Sequence, residues 1–162
     1  MIPFGLSESQ FVSRYRRELD RVSSAAIETF RSLLGRAVNG EVKNAQVEVF
    51  LDEDGGAPTV WIYYCGQNNK VDQTDQSLFP GRSLALQLPL SGLSEFDERY
   101  FVSLEDDEVE FPGHFLAGNT IKGWLAECWW KAGGWTYSFP TTLAVHDGWG
   151  DGNVIQLTEA AR

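Results

Sequence analysis

The first forty residues carry apolar side chains at intervals of three and four, which is the repeat of one face of a helix. Ser7 followed by Gln10 matches the S-x-x-Q capping box and predicts that a helix begins there. The apolar positions are Phe11, Tyr15, Leu19, Val22, Ala26, Phe30, Leu33 and Ala37. The pattern predicts one long helix, or two nearly collinear helices broken near residues 23–24, that runs to about residues 38–40.

The pattern then changes to the two-residue alternation of β-strands. Residues 45–52 and 59–65 are two such runs around an acidic Gly-Gly turn, which predicts a β-hairpin. The first run places Val47, Val49 and Leu51 on one face and Gln46, Glu48 and Phe50 on the other. This alternation indicates an antiparallel sheet with one covered face.

Downstream, strand patterns recur at residues 82–90, at about 100–104, at 141–146 and at 153–158. Residues 119–132 predict a second main helix, which ends before Gly133 and Gly134. We therefore expect a single α+β domain over residues 1–162. Its sheet is mostly antiparallel, with about five to six strands, and the long N-terminal helix and the second helix pack on one face.

Tryptophans are concentrated in "ECWWKAGGW", residues 127–135. On a helical wheel, Trp124 and Trp129 flank the apolar stripe and are expected in the core. Trp130 lies about 180° from that stripe, so it is either covered by another part of the chain or exposed to a partner. Trp135 follows the glycines and is expected to pack where the chain returns to the sheet.

Composition and charge restrict the classes of partner. The 162 residues include 13 Lys and Arg against 23 Asp and Glu, a formal net charge of -10. Such a field repels phosphate backbones and anionic lipids, which disfavours direct nucleic-acid or membrane binding, and it attracts basic proteins. The N-terminus lacks the pattern of a secretory signal, and no apolar stretch reaches the length of a membrane span, so we expect a cytoplasmic protein.

Candidate chemistry is sparse in the sequence. His146 beside Asp147 is the most enzyme-like feature, because an imidazole next to carboxylates can serve as a general base; a hairpin turn explains the same residues. Cys65 and Cys128 lie among apolar neighbours and are expected to be buried, reduced thiols. His114 is expected to be structural. We predict no catalytic residue, no metal site and no cofactor, and therefore no enzyme.

Partner binding has more candidates. The acidic run Glu105, Asp106, Asp107 and Glu108 can imitate the phosphates that a basic active site holds, although a solvated loop explains it as well. Trp149, at the tip of a glycine-rich turn and flanked by Asp147 and Asp151, is a candidate anchor for a basic surface. Together with Trp130, these residues are the predicted partner-binding set.

The size, acidity and aromatic content of the chain resemble those of the small bacterial immunity proteins that neutralise toxins delivered by contact-dependent or type VI secretion systems. The resemblance implies a cytoplasmic inhibitor that occludes the active site of a cognate toxin. Two alternatives remain open at this stage. One is a small enzyme or ligand-binding protein with a pocket near His146 and Asp147, and the other is a homodimeric adaptor or subunit.

Overall fold

The computed structural model describes residues 6–51, 56–67, 71, 81–96 and 111–159, and the fold is an α+β arrangement of three helices and a five-stranded sheet. The helices are α1 (Glu8–Arg21), α2 (Ser23–Leu34) and α3 (Gly113–Lys131). The strands are β1 (Val42–Phe50), β2 (Thr59–Gly66), β3 (Ser83–Ala85), β4 (Thr141–Val145) and β5 (Ile155–Thr158).

The sheet has the strand order β3-β2-β1-β4-β5 and is mostly antiparallel, as predicted. The exception is the central pair, because β1 and β4 run parallel, with Ala45 opposite Thr141 and Val49 opposite Val145. A parallel pair needs a long crossover connection, and α3 lies in that connection. The crossover brings together parts of the sheet that are far apart in sequence.

The N-terminal helical pattern is confirmed in its main features. Ser7 accepts a hydrogen bond from the Gln10 amide at 3.2 Å, and the Gln10 side chain accepts one from the Ser7 amide at 2.8 Å, which completes the capping box. The break falls at Val22, next to the predicted position, so two helices form. The second ends at Leu34, several residues before the predicted end at 38–40.

The helices cover one face of the sheet. α3 packs against β4 and β5, and α1 and α2 pack against α3. Trp124 and Trp129 are fully buried, as the wheel predicts. The Trp129 indole donates to the Thr158 hydroxyl at 3.0 Å, which in turn donates to the Gly134 carbonyl at 2.6 Å. Any side chain at Gly134 would overlap the Trp129 ring, so the turn after α3 is shaped around this indole.

Several predicted boundaries were wrong. α3 begins at Gly113 and not at residue 119. Its additional first turn includes His114, whose side chain is buried. The strand predicted over 82–90 is shorter, Ser83–Ala85, and its backbone hydrogen bonds to β2 extend one residue further at each end, to Arg82 and Leu86. The strand predicted near 100–104 lies outside the described residues.

Cys128 is buried as expected, whereas Cys65 is only partly buried, because it lies on the face away from the helices.

The two indoles after the core stripe pack on each other, and of the two only Trp135 differs from expectation. Trp130 is partly buried by its own chain: its N–H donates to the Leu157 carbonyl at 2.9 Å, and its ring stacks on Trp135 at 4.9 Å between centroids. Trp135 was expected to pack towards the sheet, but it is 65% exposed. The Gly133–Gly134 turn directs it outward, since Gly133 has a positive φ of 95° and reverses the chain there.

Candidate functional site

The loop that joins β4 to β5 is the centre of the candidate site. It begins directly after Val145 with a short turn, His146–Gly148, in which Asp147 has a φ of 59°. Asp and Asn are among the few non-glycine residues that adopt this left-handed conformation readily, because a short polar side chain can bond locally. Positive φ at Gly150 and Gly152 lets the chain turn twice more before β5.

Two side chains on α3 hold this loop through three contacts. The buried Lys122 ammonium pairs with the Asp151 carboxylate and also donates to the Asn153 carbonyl at 2.8 Å. The Asn119 side chain accepts a hydrogen bond from the Asp151 amide at 2.9 Å. The ion pair with Lys122, followed by the hydrogen bond from the Asn153 amide, lowers the pKa of Asp151 below its ordinary value. The loop is therefore docked on the helix by polar contacts, of which those of the buried Lys122 are partly shielded from solvent.

Two glycines allow the close approach of loop and helix. A Cβ atom at Gly118 would lie 3.3 Å from the Trp149 backbone, and one at Gly150 would lie 2.6 Å from the Asn119 side-chain oxygen. The backbone from the Trp149 carbonyl to Gly150 is consequently fixed against α3. The position of its side chain follows from this docking.

Trp149 is 40% exposed and stacks on the buried His114 ring, with centroids 4.4 Å apart and an angle of 25° between the planes. One face of the indole is thus supported by the protein. Asp147 and Asp151, both exposed, lie on either side of it in the loop. The loop thus carries Asp147, Trp149 and Asp151 together, and His114 is the ring that supports the indole.

His146 connects the same turn to the sheet. Its Nδ1 lies 2.8 Å from Glu48 Oε1 on β1, and its Nε2 lies 3.3 Å from Asp147 Oδ1. The hydrogen bond to Glu48, with the charge of Asp147, raises the pKa of His146 above its ordinary value. The imidazole ring also packs on Phe50, with centroids 4.5 Å apart.

Glu48 is surrounded by aromatic residues on the sheet face opposite the helices. Trp61 lies directly across from it on β2, and Tyr63 is the next residue on that face. These two rings are 6.4 Å apart with an angle of 20° between them. Phe50, two positions along β1 from Glu48, completes the group. All four side chains are partly exposed.

This geometry limits the chemistry of His146. Both ring nitrogens contact a carboxylate, which favours the doubly protonated imidazolium, and that form has no free lone pair to accept a proton or bind a metal. Within the described ranges, no group of three or more His, Cys, Asp or Glu side chains is arranged to hold a metal ion. The arrangement suits electrostatic contact and structural bridging better than base catalysis.

The two thiols lack the environment of a nucleophile. Burial raises the pKa of Cys128 to about 11, and it also raises the pKa of Cys65. A nucleophilic cysteine needs a lowered pKa.

A groove of about 530 Å³ lies between α2 and β3. The residues that line it, among them Thr29, Arg36 and Leu84, are separate from His146 and Asp147.

The predicted partner-binding residues are therefore divided. Asp147, Trp149 and Asp151 lie together on the loop, and Trp130 lies near the opposite end of α3. The run of Glu105, Asp106, Asp107 and Glu108 falls outside the described residues. The last described residue before that gap, Phe96, and the first one after it, Phe111, each pack on Phe11 at 5.4 Å.

Sequence reasoning missed the residues that complete the site: Glu48, Phe50, Trp61, His114 and Lys122. The alternation in β1 places Glu48 and Phe50 on the solvent face, but only the parallel pairing with β4 brings them to His146. The sequence around Lys122 does not predict its burial or its pairing with Asp151, because a lysine within an apolar helix can equally extend to solvent.

Comparison with known proteins gave no matching family model, no matching curated protein and no matching solved structure. Among the described residues, no helix has both the length and the apolar character needed to cross a bilayer.

Proposed function

We propose that this protein is a protein-binding inhibitor that captures a basic protein, in the manner of the bacterial immunity proteins that its size and charge resemble. The observation that carries the proposal is Trp149, a partly exposed indole stacked on His114 and held on a loop that Lys122 and Asn119 anchor.

A fixed aromatic side chain suits an interface for an entropic reason. Immobilising a mobile side chain on binding costs about 0.5–1.5 kcal/mol, and a ring already held in place avoids most of that cost. Tryptophan is also enriched among the residues that dominate binding energy. Trp149 therefore has the properties of an anchor, with Asp147 and Asp151 as an acidic rim.

The charge of the chain supports a basic partner. A net charge of -10 accelerates the encounter with a positively charged surface, and it opposes association with a second copy of the same acidic chain. A toxin that acts on nucleic acid or nucleotides, in the cytoplasm, would present such a surface at its active site. Occlusion of that site is the proposed mode of inhibition.

The test begins with pull-down from the native cell, identification by mass spectrometry and reconstitution with the purified partner. We expect one basic protein, inhibited stoichiometrically, whose Kd rises at least about tenfold in Trp149→Ala. Trp135→Ala is the control, since it removes another exposed indole, 65% exposed against 40% for Trp149, from the turn beyond the far end of α3. Recovery of self-associated protein alone, with a mass that depends on concentration, would favour the homodimeric alternative and contradict the proposal.

A further inference from the structure

We propose that Glu48 and the aromatic residues around it form a receptor for one arginine side chain of the basic partner. The site lies on the sheet face opposite the helices and is built from β1 and β2. Glu48 is opposite Trp61 in register, Tyr63 follows on the same face, and Phe50 lies two residues along the strand. No residue of this group belongs to the predicted partner-binding set.

The charge of the site favours a cation. Glu48 and Asp147 contribute two negative charges and His146 at most one positive charge, so the cluster keeps a net charge of -1 even with a protonated imidazole. The contact with His146 uses Oε1 of Glu48. A guanidinium group binds carboxylates through parallel N–H donors and can address the other oxygen of the same carboxylate.

The aromatic residues select the shape of the ligand. The faces of tryptophan, tyrosine and phenylalanine attract cations within about 6 Å of the ring centroid. Arginine fits better than lysine, because its planar group stacks on a ring while its edge donates to a carboxylate. An anion would be repelled by Glu48, and an apolar group would remove the carboxylate from water without a partner.

The site is continuous with the Trp149 loop. His146 contacts Glu48 with its ring and begins the turn that leads to Trp149. The indole lies on the helix side, on His114 of α3, and Glu48 lies on the opposite face of the sheet, so a partner that contacts both must extend over the end of β4. This inference deepens the proposed function. The assignment of the arginine to a protein partner rests on that function.

The first test needs no partner. The full chain, labelled with ¹⁵N, is titrated with N-acetyl-arginine amide, and N-acetyl-citrulline amide serves as the uncharged isostere. We expect saturable shifts of the Trp61 indole signal with a Kd on the order of 10 mM, as two exposed cation–π contacts and one surface ion pair would give. Citrulline should cause no saturable shift, and the lysine analogue should bind more weakly.

Variants locate the site. Glu48→Gln should weaken arginine-amide binding at least about fivefold, and Trp61→Leu should do the same, whereas Trp135→Ala should leave it unchanged. The dispersion of the ¹⁵N spectrum verifies that each variant is folded. Equal shifts with citrulline, or equal affinity in a folded Glu48→Gln protein, would overturn the inference.

The failure of this inference is distinguishable from that of the proposed function. If the reconstituted partner still depends on Trp149 but binds equally well to Glu48→Gln, the arginine receptor is wrong and the inhibitor proposal stands. If arginine amide binds at Glu48 but pull-down recovers only self-associated protein, the site still binds arginine and the inhibitor proposal is contradicted.

Discussion

The indole of Trp149 lies on the imidazole of His114, with 4.4 Å between the ring centroids. The two residues belong to different elements, the β4–β5 loop and the first turn of α3, and the stack unites an exposed side chain with a buried one. Because the supporting ring is fixed in the fold, the exposed ring has a defined direction before any partner arrives.

We predict that His114→Ala releases this indole. The loss of an aromatic pair should cost about 1 kcal/mol of unfolding free energy, measured by urea denaturation. With 5-fluorotryptophan incorporated, the ¹⁹F signal of Trp149 should narrow as the ring gains motion, while the buried Trp124 signal should not change. An unchanged Trp149 signal in the folded variant would show that His114 does not restrain the ring.

Asp151→Asn should destabilise the protein at neutral pH, because the buried Lys122 ammonium loses its charged partner. The pKa of Asp151 is lowered from its ordinary value of 3.8, so its contribution to stability is present above that value and is lost as pH falls through the lowered pKa. Urea midpoints of wild type and variant should therefore differ at pH 7 and converge in strong acid. A constant difference across this range would contradict the assignment.

His146 should titrate above its ordinary pKa of 6.5, since the hydrogen bond to Glu48 and the charge of Asp147 favour its protonated form. The stabilising contact is fully present below pH 6.5 and is lost as pH rises through the raised pKa. Titration of the His146 ring protons by NMR should show the raised pKa, and Glu48→Gln should remove most of the increase. Asp147→Asn should reduce it less, as Asp147 is the weaker of the two influences.

Thr158→Val should be costly although its volume hardly changes. The Thr158 hydroxyl accepts from the buried Trp129 indole, and valine would leave that N–H without a partner. An unsatisfied buried donor costs about 1–3 kcal/mol. Thr158→Ser keeps the hydroxyl and is the matched control, so it should lose less stability than the valine variant in the same denaturation assay.

Local patterns in the sequence predicted most of the described helices and strands, although not all of their ends. The capping box at Ser7, the break near Val22 and the core positions of Trp124 and Trp129 each depend on residues within a few positions of one another. The alternation in β1 predicted its covered face for the same reason. Such features are readable because helix and strand periods impose them directly on the sequence.

The site was only partly predictable because its contacts are not local. Asp147, Trp149 and Asp151 are adjacent in sequence, and a glycine-rich turn indicates their exposure. The contacts from Lys122 to Asp151 and from His146 to Glu48 span 29 and 98 positions. No periodicity of one segment encodes which residue of another segment it will meet. The outward direction of Trp135 likewise depends on how the turn after α3 is shaped around Trp129.

The parallel pairing of β1 with β4 also has a kinetic consequence. β1 and β2 can form a hairpin early from nearby residues, but the pairing of β4 with β1 closes a long loop of chain, and such non-local pairing is slow. Glu48 and His146 meet only in that last closure. A chain that has formed only the β1–β2 hairpin would therefore present Glu48 without its contact to His146 and apart from the Trp149 loop, so the surface that combines both sites would exist only in molecules that have finished folding.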